Sequence, residues 1–172
     1  TNRVRQLGVS GDGEVMDAYV STGAFDVLVT PFNLNSGWQI RSRLRAARDR
    51  DMAIFAYDYF PSALATEKKA AALDRPVKKG LFGFGGGGGR SRDDPLKDVG
   101  TFAFLHRTPN WSAEAICLAY DLTDPAICSI LVQANDAERL NALALVPERD
   151  MPPGLAAQIE MARVACAGSA AA

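Results

Sequence analysis

The chain has 172 residues, 48% apolar and 23% charged, so it can bury a core and is too hydrophobic for global disorder. Its 19 basic and 20 acidic residues leave a net charge of −1, which argues against an overall basic footprint for nucleic acid and against a polybasic membrane signal. No apolar run approaches the roughly 18 residues of a spanning helix, and the three cysteines (Cys117, Cys128, Cys166) show neither disulfide-framework nor metal-ligand spacing. These features predict a cytoplasmic protein with neither a nucleic-acid nor a membrane partner.

The chain begins at Thr1, and Arg3-Val4-Arg5-Gln6-Leu7-Gly8-Val9-Ser10 reads at once as a strand, Val4 to Val9, running into a turn. Entry directly on a core element is what the remainder of a longer fold would show. Gly13 to Ser21 carries Val15, Met16, Tyr19 and Val20 at helical spacing and closes at Gly23, a good residue for a left-handed helix end. Phe25 to Thr30 is the second strand. Asn35 and Ser36 offer caps for a helix from about Trp38 to Asp49, with Ile40, Leu44 and Ala47 inward. Its basic row, Arg41, Arg43, Arg45, Arg48 and Arg50, reads as a solvated face. Met52 to Tyr57 is the third strand.

The segment 59–110 interrupts this alternation. At its centre lies Gly80-Leu81-Phe82-Gly83-Phe84-Gly85-Gly86-Gly87-Gly88-Gly89-Arg90, flanked by Lys78, Lys79 and Arg92. Glycine at this density does not offset its ordering entropy, so the insert reads as a flexible loop. Beyond it, Ser112 can cap a helix through Leu122 that Asp124-Pro125 ends, and Ile127 to Val132 is the fourth strand. Asp136 can cap a helix with Leu140, Leu143 and Ala144 inward. Pro147 and Pro152-Pro153 break the chain before a last amphipathic helix, Leu155 to Val164, with Leu155, Ile159, Ala162 and Cys166 on one face. The tail, 167–172, is expected to fray.

Strand–helix alternation with continuous apolar strands predicts an α/β fold of parallel (β/α) units. Without the insert, roughly 120 residues remain for four units, half of the about 250 of a whole (β/α)8 barrel. Gly83-x-Gly85-x-x-Gly88 matches the dinucleotide fingerprint only formally, since five successive glycines satisfy it and neither a strand nor a helix frames it. His106, the single histidine, has no ligand-spaced partner and reads as a non-catalytic loop residue. Trp38 and Trp111 are expected to cover the core beside helix starts, and the cysteines to be small buried apolar groups.

Taken together, the strand sequences resemble the C-terminal half of the aldo-keto reductases. Arg3 to Ser10 is similar to that family's fifth strand with its Gly-Val-Ser turn, and Phe25-Asp26-Val27-Leu28-Val29-Thr30-Pro31-Phe32-Asn33-Leu34 to its sixth strand and loop. Ile54-Phe55-Ala56-Tyr57 is similar to the seventh strand. Leu118-Ala119-Tyr120 and Asp124-Pro125-Ala126-Ile127-Cys128-Ser129-Ile130-Leu131-Val132 resemble the following helix and eighth strand, and Asn135-Asp136-Ala137-Glu138-Arg139-Leu140 a cofactor-binding helix start.

The resemblance implies that residues 1–172 form the C-terminal half of a TIM-type barrel carrying a Gly-rich insert. It implies an NADP(H)-dependent oxidoreductase that interconverts carbonyls and alcohols by hydride transfer. Ser10 would hold the nicotinamide carboxamide, Tyr57 would stack on the nicotinamide ring, and Arg139 would take the 2′-phosphate. The family's catalytic Asp, Tyr, Lys and His belong to its first four strands, so this half by itself carries no catalytic residue and no metal. The other barrel half, or a second copy, would close the sheet edges, and a small carbonyl compound would be the substrate. The pattern departs from the family at several points. Gly11 stands where the family has Asn, Val29 where it has Gln, and Asp58-Tyr59-Phe60 where it has Ser-Pro-Leu beside the pyrophosphate. Gln133 replaces a basic residue and Ala142-Leu143 an adenine-binding Glu-Asn pair. These departures open a second reading, a non-catalytic binding or regulatory module of the same architecture with an eroded cofactor site.

Overall fold

The computed structural model describes residues 3–72 and 101–170, with side chains through residue 166. The glycine run, the fingerprint match within it, and Lys78, Lys79, Arg90 and Arg92 lie outside the described residues. The chain divides into two compact units, Thr1–Pro61 with Glu114–Pro152, and Ser62–Ala113 with Pro153–Ala172.

The first unit is α/β. Strands β1 (Gly8–Ser10), β2 (Val27–Pro31), β3 (Ala53–Tyr57) and β4 (Ser129–Ile130) form one parallel sheet whose spatial order follows the chain, β1-β2-β3-β4. Helices α1 (Glu14–Thr22) and α2 (Trp38–Arg48) make the first two crossovers, and α4 (Ala113–Asp121) precedes β4. The strand pattern has period two. Leu28 and Thr30 on β2 and Ile54 and Ala56 on β3 are fully buried, whereas Val27, Val29, Pro31, Ala53, Phe55 and Tyr57 are half-buried. Met16 and Val20 of α1 and Leu44 and Ala47 of α2 pack on Leu28, Phe32 and Ile54. Burying side chains of this size stabilises each by about 1.5–3 kcal/mol.

Both edge strands are shorter than their apolar runs. Val4 and Leu7 are exposed, and only Gly8–Ser10 pairs with β2, because at Leu7 the Asp26 side chain takes the place of a backbone partner. The Asp26 carboxylate accepts the Leu7 N–H at 2.8 Å, and the Asp26 N–H donates back to the Leu7 carbonyl at 2.7 Å. β4 keeps only two residues in register with Phe55 and Ala56, with Leu131 and Val132 left partly in solvent.

Helix α1 ends as its glycine predicts, with Gly23 left-handed at φ 67°. Helix α2 begins on Gly37 rather than on an Asn35 or Ser36 cap. Those two residues are spent on the preceding turn, where Ser36 Oγ accepts the Asn33 N–H at 2.9 Å and Asn33 Oδ1 accepts the Asn35 N–H at 3.0 Å. Trp38 is 75% exposed, so it covers no core. In α5 (Ala137–Ala144), Asp136 caps as expected, accepting the Arg139 N–H at 2.7 Å. Of the three residues expected inward, only Leu143 is buried. Leu140 and Ala144 face solvent.

The second unit contains the described flanks of the segment 59–110, whose glycine-rich centre lies outside the described residues. These flanks form a short 3-10 turn at Ser62–Leu64, helix α3 (Glu67–Ala72) and a second 3-10 turn at Ala103–His106. Leu64, Ala70, Phe102, Ala103 and Leu105 are fully buried. Aromatic and leucine side chains at both ends supply an apolar core that glycine content alone does not reveal. Helix α6 runs from Leu155 to Ala170, past the expected end, with Leu155, Ile159 and Ala162 buried and Cys166 half-buried. Residues 171–172 of the expected frayed tail lie outside the described residues. Cys117 is buried as expected, and burial pushes its thiol well above the ordinary range, but Cys128 is exposed. No helix among the described residues is long and apolar enough to cross a membrane.

Candidate functional site

Parallel β/α units expose their strand C-termini at one end, where the βα loops gather side chains around a rigid sheet. Here the loops after β3 and β4 enclose a cleft of about 430 Å3. Tyr57, the last residue of β3, and Asp58-Tyr59-Phe60 form one wall. Leu131, Val132, Gln133 and Asn135 after β4 form another, and Glu114 of α4 and Arg139 of α5 complete it. The volume falls in the range of small-molecule sites.

The loop after β3 turns on Asp58, whose φ of 57° puts a non-glycine residue in the left-handed region. Aspartate tolerates that conformation better than most residues. Its carbonyl accepts from Asn33 Nδ2 at 3.1 Å, tying the β3 loop to the loop after β2. The turn sends Tyr59 inward, where it is 5% exposed.

Tyr59, Glu114 and Arg139 form the polar centre of the cleft. The Tyr59 hydroxyl donates to Glu114 Oε1 at 2.6 Å, and an Arg139 guanidinium nitrogen donates to the same oxygen at 2.6 Å. Burial, then the Glu114 carboxylate, hold the Tyr59 phenol far above its ordinary value, so it remains a neutral donor. The hydrogen bond to Glu114 raises Arg139 in turn. Arg139 keeps 43% of its side chain in solvent while Glu114 keeps 17%. The arrangement can stack a flat ring against tyrosine, accept hydroxyl donors on a carboxylate and pair an anion with a guanidinium.

Of the residues singled out from the sequence, Tyr57 and Arg139 meet in this cleft. Ser10 sits exposed at the end of β1, with β2 between it and β3, and is not among the lining residues. Gly11 has a physical cause of its own. Its φ is 154°, its N–H donates to the Val29 carbonyl at 3.0 Å, and a Cβ would come within 3.1 Å of Met16 Sδ. Sequence reasoning missed Glu114 and the role of Tyr59. Tyr59 falls in the tripeptide Asp58-Tyr59-Phe60 that departs from the family pattern, which was the available signal. Glu114 stands 55 residues further along the chain and carries no local motif.

A second polar cluster lies between α1 and α2. Arg43, expected on a solvated face, is buried. Its Nε donates to Asp17 Oδ1 at 2.6 Å, and its two terminal nitrogens reach Asp12 Oδ1 at 3.2 Å and the Gly13 carbonyl at 2.6 Å. Burial opposes the charge, but the bonds to Asp17 and Asp12 outweigh it and Arg43 is raised. The Gly13 N–H, then Arg43, lower Asp12. His106 is used structurally, its Nε2 lying 2.9 Å from the Leu64 carbonyl. No group of three metal-ligating side chains occurs among the described residues. No protein-family model matches the chain, and no curated protein matches it.

Proposed function

We propose that this chain is the cofactor-side half of an aldo-keto reductase-like (β/α)8 barrel, holding a nicotinamide dinucleotide of the NADP(H) class in the cleft at the ends of β3 and β4. The observation that carries the reading is the meeting of Tyr57 and Arg139 in one cleft at the strand C-termini, on a parallel sheet that steps in one direction without reversal. Barrels place their sites at this end, whereas open doubly wound sheets bind where the strand order reverses. Tyr57 would support the nicotinamide ring, and Arg139 would face the adenosine end. When bound, the nicotinamide would supply hydride transfer, with the acid–base groups coming from the other barrel half. That half, or a second copy, would close the free edges of β1 and β4, and sedimentation as a stable dilute monomer would oppose closure by a second copy.

The second reading is a binding or regulatory module without turnover. The specific observation behind it is the pair of carboxylates, Asp58 and Glu114, that line the cleft. Titration with NADPH and NADH, followed by fluorescence, separates the two. Micromolar binding weakened by Arg139→Ala supports the oxidoreductase half. No binding at millimolar dinucleotide rejects it.

A further inference from the structure

We propose that the outer face of α2, together with the groove between α1 and α2, is a docking surface for an acidic peptide segment of a partner protein, anchored by one apolar side chain. No residue of this surface lines the β3–β4 cleft, and it owes nothing to the dinucleotide reading. The groove has a volume of about 280 Å3, just below the roughly 300 Å3 at which small-molecule pockets begin, so it suits a side chain better than a whole ligand. Val20 of α1 and Ala46 of α2 give it apolar walls, and Gln39 and Ser42 a polar rim. Trp38 stands at its edge with 75% of its surface in solvent. An indole carries a large apolar surface, and here it is left uncovered beside a groove.

The charge of the face points to the partner's chemistry. Helix α2 carries four arginines and no acidic residue. Arg43 turns inward onto Asp12 and Asp17. Arg41, Arg45 and Arg48 recur at i, i+4 and i+7 and share the outer side of the helix with Trp38. Like charges at this spacing repel one another. Arg41 has Asp124 at 4.0 Å. Arg45 and Arg48 are exposed and, among the described residues, have no carboxylate in ion-pair range. A partner's carboxylates would relieve the repulsion and accept the paired N–H groups of a guanidinium. Arginine and tryptophan are the residue types that anchor protein interfaces, and here they flank a groove of side-chain size. A nucleic acid fits less well. Its phosphates would pass Asp17 at the groove and Asp49 at the helix end, and 19 basic against 20 acidic residues supply no wide basic field.

The test selects a random peptide library on the immobilised full chain. Enriched peptides are then titrated by fluorescence polarisation against the wild type, Trp38→Ala and the double variant Arg45→Glu/Arg48→Glu, with folding checked by circular dichroism. The three substituted side chains are exposed, so both variants should fold. Enriched peptides should carry several carboxylates around one aliphatic or aromatic residue. Affinity should fall about tenfold or more in Trp38→Ala, the scale of an interface hot spot, and about fivefold in the charge reversal. In the wild type, the peptide should shift backbone amide NMR signals of α1 and α2 around Trp38, which decides the matter if a variant does not fold. No enrichment, enriched peptides without acidic character, an affinity unchanged in either variant, or shifts at the β3–β4 cleft instead overturns the assignment. Binding of oligothymidylate that both variants abolish, with no acidic peptide enriched, overturns it in favour of a nucleic-acid partner.

Discussion

Two arginine–carboxylate clusters in the α/β unit use the same chemistry to different ends. Arg43, between α1 and α2, keeps 2% of its side chain in solvent and spends its donors on Asp17, Asp12 and the Gly13 carbonyl. Arg139, at the strand C-termini, keeps 43% in solvent and pairs with the carboxylate of Glu114. The first is a clamp that fixes the β1–α1 turn to α2, since a buried guanidinium persists only when its donors are met. The second is a poised group whose partner can be exchanged or shared. Equal pair distances of 2.6 Å do not separate the two. Burial and the number of bonds do.

The largest expected effect tests the clamp. Arg43→Ala should cost about 3 kcal/mol of unfolding free energy, because it strips a buried donor set from two carboxylates and a carbonyl. Urea denaturation reads this, and a loss below about 1 kcal/mol would place Arg43 with ordinary surface pairs. Arg139→Ala should do the reverse. It should weaken dinucleotide binding roughly tenfold while moving the melting temperature by no more than about 2 °C. A large fall in melting temperature would make Arg139 a clamp as well.

Tyr59→Phe should cost about 1 kcal/mol, the net value of a hydrogen bond to a charged acceptor that keeps another partner. An unchanged denaturation midpoint would show that Arg139 alone holds Glu114. The smallest effect is a pH dependence at the clamp. The folded state lowers the Asp12 value, so its stabilisation is complete above the unfolded value of about 3.9 and is lost as pH falls through the folded value. The stability difference between wild type and Asp12→Asn should therefore be flat from neutral pH down to about pH 5 and shrink below about pH 4. A difference that grew on acidification would reverse the sign and refute the pairing.

The central strands were legible because β2 and β3 have neighbours on both sides, so their apolar runs coincide with the ladder. The edge strands were read too long, since Val4, Leu7, Leu131 and Val132 have strand-like side chains but are exposed beside a sheet edge. Asp26 decides where β1 starts, and no periodicity reports that. Tyr57, which ends the third strand, and Arg139, near a capped helix start, were singled out only through the family resemblance. Their meeting with Glu114 was not legible, because α4 returns to the cleft only after the segment that interrupts the strand–helix alternation. The basic row of α2 was misread at Arg43 because its partners, Asp12 and Asp17, lie on another helix and the turn before it.

The central claim is that the β3–β4 cleft receives a dinucleotide. The most direct measurement is the change in backbone amide NMR shifts as NADPH is added to the full chain. Shifts concentrated at Tyr57–Phe60, Leu131–Asn135, Glu114 and Arg139, and diminished by Arg139→Ala, are the predicted result. Shifts confined to α1 and α2 around Arg43, or none at millimolar NADPH, would contradict it.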